Sequence, residues 1–404
     1  MKFCAQLSLT LLASLGLLAC QASTNQPNPI KATNAPETHS HSKTIQVGKA
    51  PHGMASAQGF VYNSNSGENT IVVIDSKNDQ VIHTITLPTG HPGYLKATHQ
   101  EKYILATNPD SGLVYVIDPA KGHRLVHTID VGKGPDKVEV SDDDQKVYIS
   151  LTGAAEVVLL DFAKGWEQAP AIKRLATGAP SPDGQGHRSL DAQGDWLIVP
   201  NPGDNDVSLI NLLSGEQSRL QDGNQPGPVA LLDKLGKVNQ VLVGNAASHS
   251  VTLFELESKK ATSFADLGQS PTDVAVVKEL GRAFITMAGS NQVAVLDFLK
   301  PQKLGSVKTD ARPVHIYVAP ALDDMHVTHE GAHYAAPEIW VANDTGNTVT
   351  VFDSQTLAIK ATHLLGKGHH KMAFANGKAY VSNITDQTIT VIERETSAHE
   401  SSES

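Results

Sequence analysis

The chain has 404 residues and a formal net charge of −10 at pH 7. This acidic balance argues against binding nucleic acid through a basic surface, because phosphate contacts require clustered Lys and Arg side chains. Only 5% of the residues are aromatic, and both cysteines, Cys4 and Cys20, lie within the first twenty residues. We therefore expect an aliphatic core that no disulfide stabilises.

The first twenty residues have the pattern of an export signal. Lys2 supplies the positive charge, an apolar stretch covers residues 7–18, and Leu17-Leu-Ala-Cys20 follows. The stretch is too short to span a bilayer as a stable helix. Leu-Leu-Ala-Cys resembles the bacterial lipoprotein box, which implies removal of residues 1–19 and lipidation of Cys20. Gln21 after the cysteine then indicates the outer membrane. The alternative is a plain secretory signal with a chance cysteine.

Residues 20–42 are predicted to form a flexible tether. They are rich in Gln, Asn, Thr, Ser and Pro and contain few large apolar residues, so burial cannot offset the entropy of ordering them. His39 and His41 stand two residues apart near the end of this segment. Such a pair is either a weak metal chelate or simply part of a solvated polar linker.

From Lys43 onward, short runs of β-branched and aromatic residues alternate with Gly, Pro, Asn and Asp, which predicts many short strands. Two features each recur eight times. One is a Gly- or Pro-rich turn before an apolar run, at Pro51, Pro92, Pro135, His187, Pro228, Pro271, Pro313 and His369. The other is a run that ends in Asp, Glu or Asn, at Ile71–Asp75, Val114–Asp118, Val157–Asp161, Val207–Asn211, Val251–Glu255, Val293–Asp297, Val349–Asp353 and Ile389–Glu393.

This repetition predicts an all-β protein, an eight-bladed β-propeller over residues 43–394, with a seven-bladed ring as the alternative. The last repeat has no fourth strand, whereas Lys43–Val47 stands alone before the first repeat and is similar to His83–Leu87. We therefore expect this N-terminal strand to complete the last blade and close the ring. Residues 395–404 are predicted to be a loose acidic tail.

The second strands of several repeats resemble the YVTN-type propeller repeat. The resemblance rests on Val147-Tyr-Ile-Ser, Ile339-Trp-Val-Ala-Asn343 and Ala379-Tyr-Val-Ser-Asn383. It implies the propeller fold and little about activity, because the family includes surface-layer, scaffold and metal-handling proteins. The chain contains no nucleophile elbow, P-loop, dinucleotide fingerprint or haem-attachment motif, so we expect no enzyme activity.

Histidine is the residue type that suggests a site, with 18 copies in the chain. The starts of the inner strands surround one end of a propeller's central channel. We call the set predicted there the channel-mouth group: His52, Asp136, His187, His315 and His370. Imidazole and carboxylate donors suit zinc, with copper as an alternative. The other interpretation is a set of polar side chains that line a wet channel. A recurring Asn at the end of the second strands is expected on the same face.

A second cluster lies in an insertion in the seventh repeat, between its first and second strands. His326, His329 and His333, the insertion group, are spaced by three and four residues. They share one face if the segment is a helical turn, and a loop could gather them as well. A long loop in a compact repeat is either functional or merely solvated, so metal binding here is one of two alternatives.

Three functions compete at this point. The first is a propeller in the bacterial cell envelope, lipid-anchored on the periplasmic face of the outer membrane or at the cell surface, that holds or delivers zinc. This resembles in outline the periplasmic propeller chaperones of zinc ABC transporters, which implies a transporter or another envelope protein as partner. The second is an envelope interaction scaffold without metal. The third is a cofactor-binding propeller like those that carry haem d1.

Overall fold

The structure is a computed structural model and describes residues 42–182, 189–221, 223–234, 236–322, 326–328, 331–333 and 336–394. It contains eight antiparallel four-stranded sheets and one two-stranded sheet. The predicted eight-bladed propeller is confirmed. No helix in these ranges is long and apolar enough to cross a membrane.

Each blade consists of strands that follow one another in the chain, except at the closure and in blade 7, where an insertion follows the first strand. Blade 1 contains β2 (Pro51–Ala57), β3 (Phe60–Asn65), β4 (Thr70–Asp75) and β5 (Gln80–Thr86). Blade 2 contains β6 (Leu95–Ala97), β7 (Ile104–Asn108), β8 (Leu113–Asp118) and β9 (Arg124–Asp130). Blade 3 contains β10 (Pro135–Val140), β11 (Lys146–Leu151), β12 (Glu156–Asp161) and β13 (Ala171–Ala176). Blade 4 contains β14 (Asp191–Gln193), β15 (Trp196–Asn201), β16 (Asp206–Asn211) and β17 (Gln217–Gln221).

The second half of the ring repeats this plan. Blade 5 contains β18 (Pro226–Lys234), β19 (Lys237–Asn245), β20 (Ser250–Glu255) and β21 (Ala261–Phe264). Blade 6 contains β22 (Pro271–Val277), β23 (Arg282–Met287), β24 (Gln292–Asp297) and β25 (Gln302–Lys308). Blade 7 contains β26 (Pro313–Val318), β29 (Glu338–Asn343), β30 (Thr348–Asp353) and β31 (Ile359–Leu364). Blade 8 contains β32 (His369–Ala375), β33 (Lys378–Asn383), β34 (Thr388–Glu393) and β1 (Ser42–Gln46). Three short 3-10 helices cover Pro119–Lys121, Lys278–Leu280 and Ala288–Ser290.

The core lies between neighbouring blades. The third residue of the second strand is a buried aromatic in five blades, at Tyr62, Tyr148, Phe284, Trp340 and Tyr380. A buried aromatic side chain removes a large apolar area from water, and the hydroxyl of a buried tyrosine still needs a hydrogen-bond partner. The hydroxyl of Tyr380 donates to Asp79 Oδ1 of the next blade at 2.6 Å, so this side chain joins blade 8 to blade 1.

The N-terminal strand closes the ring. β1 pairs antiparallel with β34, from Ser42 opposite Ile392 to Gln46 opposite Thr388. Ile45 is buried against the core of blades 8 and 1. The predicted closure is confirmed, and it covers the edge that β34 would otherwise expose.

Strand direction defines two faces of the ring. His369, Asn383 and Gln46 lie at one end of blade 8, on what we call the channel-mouth face. Ser42 and Glu393 lie at the other end, on what we call the hairpin face. The insertion of blade 7 leaves from the hairpin face, because it follows the end of β26.

The recurring asparagines lie at the channel-mouth face but do not line the channel. Asn383 donates from Nδ2 to Thr388 Oγ1 at 3.0 Å and to Thr390 Oγ1 at 2.9 Å. Six such residues are fully buried: Asn65, Asn108, Asn201, Asn245, Asn343 and Asn383. Their side chains hold the turn between the second and third strands, which is a structural role.

The inner strands carry a bulge near the channel mouth. In β32, His369 pairs with Asn383 and Met372 pairs with Val381, so one extra residue is accommodated between them. The backbone N–H of Lys371 donates to Ser382 Oγ of β33 at 3.0 Å. Equivalent register shifts occur in β2, β10, β18, β22 and β26. A bulge re-aims side chains, so the simple alternation of a strand does not predict which ones meet in the channel.

Candidate functional site in the central channel

Three histidines of the channel-mouth group lie side by side on successive blades. The rings of His52 and His370 have centroids 4.0 Å apart, and those of His315 and His370 have centroids 4.9 Å apart. Asp136 is buried at the start of β10, on blade 3. His187 lies outside the described residues. The structure therefore brings three of the predicted histidines together.

His315 is neutral at neutral pH. Burial and the positive charge of Lys371 lower the pKa of its imidazole to about 3. Nδ1 of His315 lies 3.3 Å from Asp273 Oδ2 and also 3.3 Å from Lys371 Nζ. A neutral imidazole nitrogen either donates or accepts, so Nδ1 donates to Asp273 or accepts from Lys371. It cannot do both.

Asp273 remains ionised beside this imidazole. Burial disfavours its charge, but the hydrogen bond from His315 and the nearby Lys137 outweigh that effect and lower its pKa to about 2. Its Oδ1 also accepts the N–H of Val274 at 3.0 Å. When Nδ1 of His315 donates to it, Asp273 fixes the orientation of the His315 ring with a full negative charge.

Two lysines belong to the site and were missed by the sequence reasoning. Lys137 and Lys371 each place their ammonium nitrogen 5.8 Å from the centroid of the Tyr94 ring. Burial and the charge of Lys137 lower the pKa of Lys371 to about 8. These three residues come from blades 3, 8 and 2, so the contacts cross the channel. Lys137 and Lys371 lie directly after the predicted positions Asp136 and His370, within the bulges of β10 and β32.

A second polar layer lies deeper in the channel. Lys96 Nζ and Glu139 Oε2 form an ion pair at 2.7 Å. Asp191 Oδ2 accepts the N–H of Leu231 at 2.7 Å. Burial and the charge of Glu139 raise the pKa of Asp191 to about 6. Because Lys96 pairs with Glu139, the buried carboxylate of Asp191 has no ion-pair partner among the described residues.

Within the described ranges, no three or more His, Cys, Asp or Glu side chains are arranged to hold a metal ion. The geometry of the two rings explains why His52 and His370 do not form such an arrangement. Their ring planes are inclined by 37° with centroids 4.0 Å apart, and imidazole lone pairs lie in the ring plane, so the two rings aim their nitrogens at one point only if one of them turns. The metal site of the channel-mouth group therefore stays a prediction.

The insertion group is placed only in part. β27 (His326–Thr328) and β28 (Gly331–His333) form a hairpin in which His326 is directly opposite His333. The helical-turn alternative is therefore wrong for these described positions, because the backbone pairs as two strands instead. His329 lies outside the described residues, as does the predicted lipidation site Cys20.

Comparison with models of protein families finds no match, and comparison with curated proteins finds none either. Solved structures do match. The chain is similar to Sqt1 of Saccharomyces cerevisiae, with a TM-score of 0.67 and 11% identity over 89% of this chain and 100% of that one. It is similar to BamB of Moraxella catarrhalis, with a TM-score of 0.60 and 11% identity over 87% and 98% of the two chains. It is also similar to the dihydro-heme d1 dehydrogenase NirN in complex with DHE, with a TM-score of 0.58 and 16% identity over 84% and 73%. Identities this low show the β-propeller fold alone.

Proposed function

We propose that the protein is a non-enzymatic binding protein of the bacterial cell envelope that holds a transition-metal ion at the channel mouth. Zinc is the first candidate for this ion. The observation that supports this proposal is the contact of His315, His370 and His52 on three successive blades. Imidazole is a good zinc ligand only when it is neutral. His315 meets that condition down to acidic pH.

Asp273 supports the same proposal. A metal-bound histidine usually donates its other ring N–H to a carboxylate, which fixes the tautomer and the ring. Nδ1 of His315 is 3.3 Å from Asp273 Oδ2. When Nδ1 donates there, Nε2 carries the lone pair that could bind a cation. Zinc bound at this end of the channel would then be held by ring nitrogens on rigid strands.

A scaffold without metal is the second candidate. It is favoured by Lys371, whose ammonium nitrogen is 3.3 Å from His315 Nδ1. A cation near His315 is repelled by that charge unless Lys371 loses its proton or moves. The absence of a three-ligand group among the described residues also favours this alternative.

The envelope location is part of the proposal. It rests on the sequence of residues 1–20, which resembles a lipoprotein signal. The described chain begins with Ser42 on the hairpin face. A tether that starts at Cys20 would therefore join the ring on the face opposite the channel mouth, which leaves the mouth accessible to a partner.

Zinc titration separates the two candidates. The protein from residue 21, purified without a histidine tag and stripped of metal, is titrated with zinc by calorimetry. We expect binding in the wild type, and a loss of about tenfold or more in affinity when His52→Ala and His370→Ala are combined. The triple substitution of His326, His329 and His333 by Ala should remove only a weaker zinc-binding event.

His91→Ala is the matched control, because His91 is exposed and pairs with Asp110 at the channel-mouth face. Its zinc affinity should equal that of the wild type. Bound zinc should also raise the melting temperature, since it binds only the folded state. If the wild type takes up no zinc, and its melting temperature does not move, the metal proposal is wrong and the scaffold remains.

A further inference from the structure

We propose that the channel also binds a small organic acid, with its carboxylate between Lys137 and Lys371 and its apolar part in the cavity beside Tyr94. This inference goes beyond the metal proposal and does not depend on it. It rests on the two ammonium groups and on the cavity that adjoins them.

The first observation is that two lysine ammonium groups lie near one aromatic ring. Lys137 Nζ and Lys371 Nζ each lie 5.8 Å from the Tyr94 centroid. Among the residues that the structure describes, neither nitrogen lies within ion-pair distance of a carboxylate, and the hydrogen-bond partner of Lys371 is His315. Burying a charge is costly unless it is paired, so a carboxylate supplied by a ligand would stabilise both groups.

Asp273, a carboxylate whose charge acts on both lysines, already has hydrogen-bond partners. It accepts from Val274 N at 3.0 Å and from Ile316 N at 3.4 Å, and its Oδ2 lies 3.3 Å from His315 Nδ1. Asp136 is buried and also close enough to favour the charged form of both lysines. Asp273 and Asp136 thus already place two negative charges near the lysines. A ligand with one negative charge is repelled less than a ligand with two, which favours a monocarboxylate over a phosphate dianion.

The second observation is a cavity beside Tyr94 with a volume of about 310 Å³. Most of its lining residues are apolar, among them Met54, Leu95, Met372 and Phe374, and Ser56 and Lys96 line it as well. Ligand sites typically combine such an apolar wall with a few polar groups that fix orientation. Tyr94 belongs to both the wall and the lysine pair, so the two parts form one site for a carboxylate with an aliphatic or aromatic group.

A set of three probes tests both parts on metal-free protein. Sodium octanoate has both the carboxylate and the apolar chain, sodium acetate has only the carboxylate, and 1-octanol has only the apolar chain. We expect octanoate to bind at least about tenfold more tightly than either of the others, because each part contributes to the free energy of binding. Calorimetry measures the affinities, and the melting temperature of each complex gives an independent readout.

Substitutions separate the lysine pair from the cavity. Lys137→Met and Lys371→Met keep the length of the side chain and remove the charge, and each should reduce octanoate affinity about tenfold or more. Ala97→Leu, which fills part of the cavity, should weaken octanoate but not acetate. Lys164→Met, an exposed lysine at the end of blade 3's third strand, is the control and should bind like the wild type.

Two results overturn the proposal. One is that octanoate fails to bind at millimolar concentration to wild-type protein that melts normally. The other is that it binds equally well to both channel-lysine variants, which would place the ligand elsewhere. Neither result bears on zinc, because the measurement uses protein stripped of metal.

Discussion

Individual side chains in the channel carry charges that their surroundings disfavour. Asp191 is the simplest case, since its hydrogen bond from Leu231 does not compensate for burial and for the charge of Glu139. Its pKa of about 6 in the folded protein lies above the value of an exposed Asp. The folded state therefore binds a proton more tightly than the unfolded state does, so ionisation of Asp191 destabilises the fold as the pH rises from about 4 to about 6.

We predict that Asp191→Asn stabilises the protein at pH 7 by roughly 1–3 kcal/mol. Asn keeps an oxygen for the N–H of Leu231 and removes the charge. The difference from the wild type should largely vanish near pH 3, where the carboxyl group is protonated in the folded state and mostly protonated in the unfolded state. Urea unfolding at the two pH values measures it.

Asp195→Asn is the control for that measurement, because Asp195 is exposed in the turn before β15 on the same blade. It should change the free energy of unfolding little at either pH. A destabilised Asp191→Asn protein at pH 7 would mean that the carboxylate forms a favourable interaction in the channel.

At the scale of elements, β1 is the strand on which closure depends. Five residue pairs join it to β34, and Ile45 is buried beneath them. Without β1, blade 8 would have three strands and would expose the edge of β34. Exposed edges also promote pairing with other chains.

We predict that a protein beginning at residue 49 melts at a markedly lower temperature than one beginning at residue 41. The first lacks β1, whereas the second keeps it. The single change Ile45→Ala should reproduce part of the loss, about 2–4 kcal/mol, because it removes a buried side chain but keeps the strand pairing. Equal melting temperatures for the two truncated proteins would contradict the closure.

The element scale also shows what sequence reasoning could reach. The propeller, its eight blades and its closing strand follow from local signals, namely β-branched runs and turns at Pro51, Pro135 or Pro271 that repeat along the chain. The pairing of Lys137, Tyr94 and Lys371 does not follow, because these residues belong to blades 3, 2 and 8 and meet only when the ring closes. The bulges add a second obstacle, since they change which inner-strand residues reach the channel.

At the scale of the whole molecule, the proposed lipid anchor would decide which face of the ring points away from the membrane. If Cys20 carries lipid, Cys20→Ser should move the protein from the membrane fraction into a soluble fraction or leave it unprocessed. A labelled fatty acid should mark the wild type and not the variant. A variant that stays with membranes would show that the export signal is a plain one and that something else holds the protein there.

The two ends of the described chain lie at the same end of one strand pair, which gives the ring a mechanical weak point. Ser42 is opposite Ile392, at the end of the β1–β34 pair nearest to where the described chain stops. A force that pulls these ends apart loads the first residue pair before the others, so the hydrogen bonds break one after another as in a zipper. The same strand that closes the ring against thermal unfolding is thus the one that a modest tension between the ends would peel away.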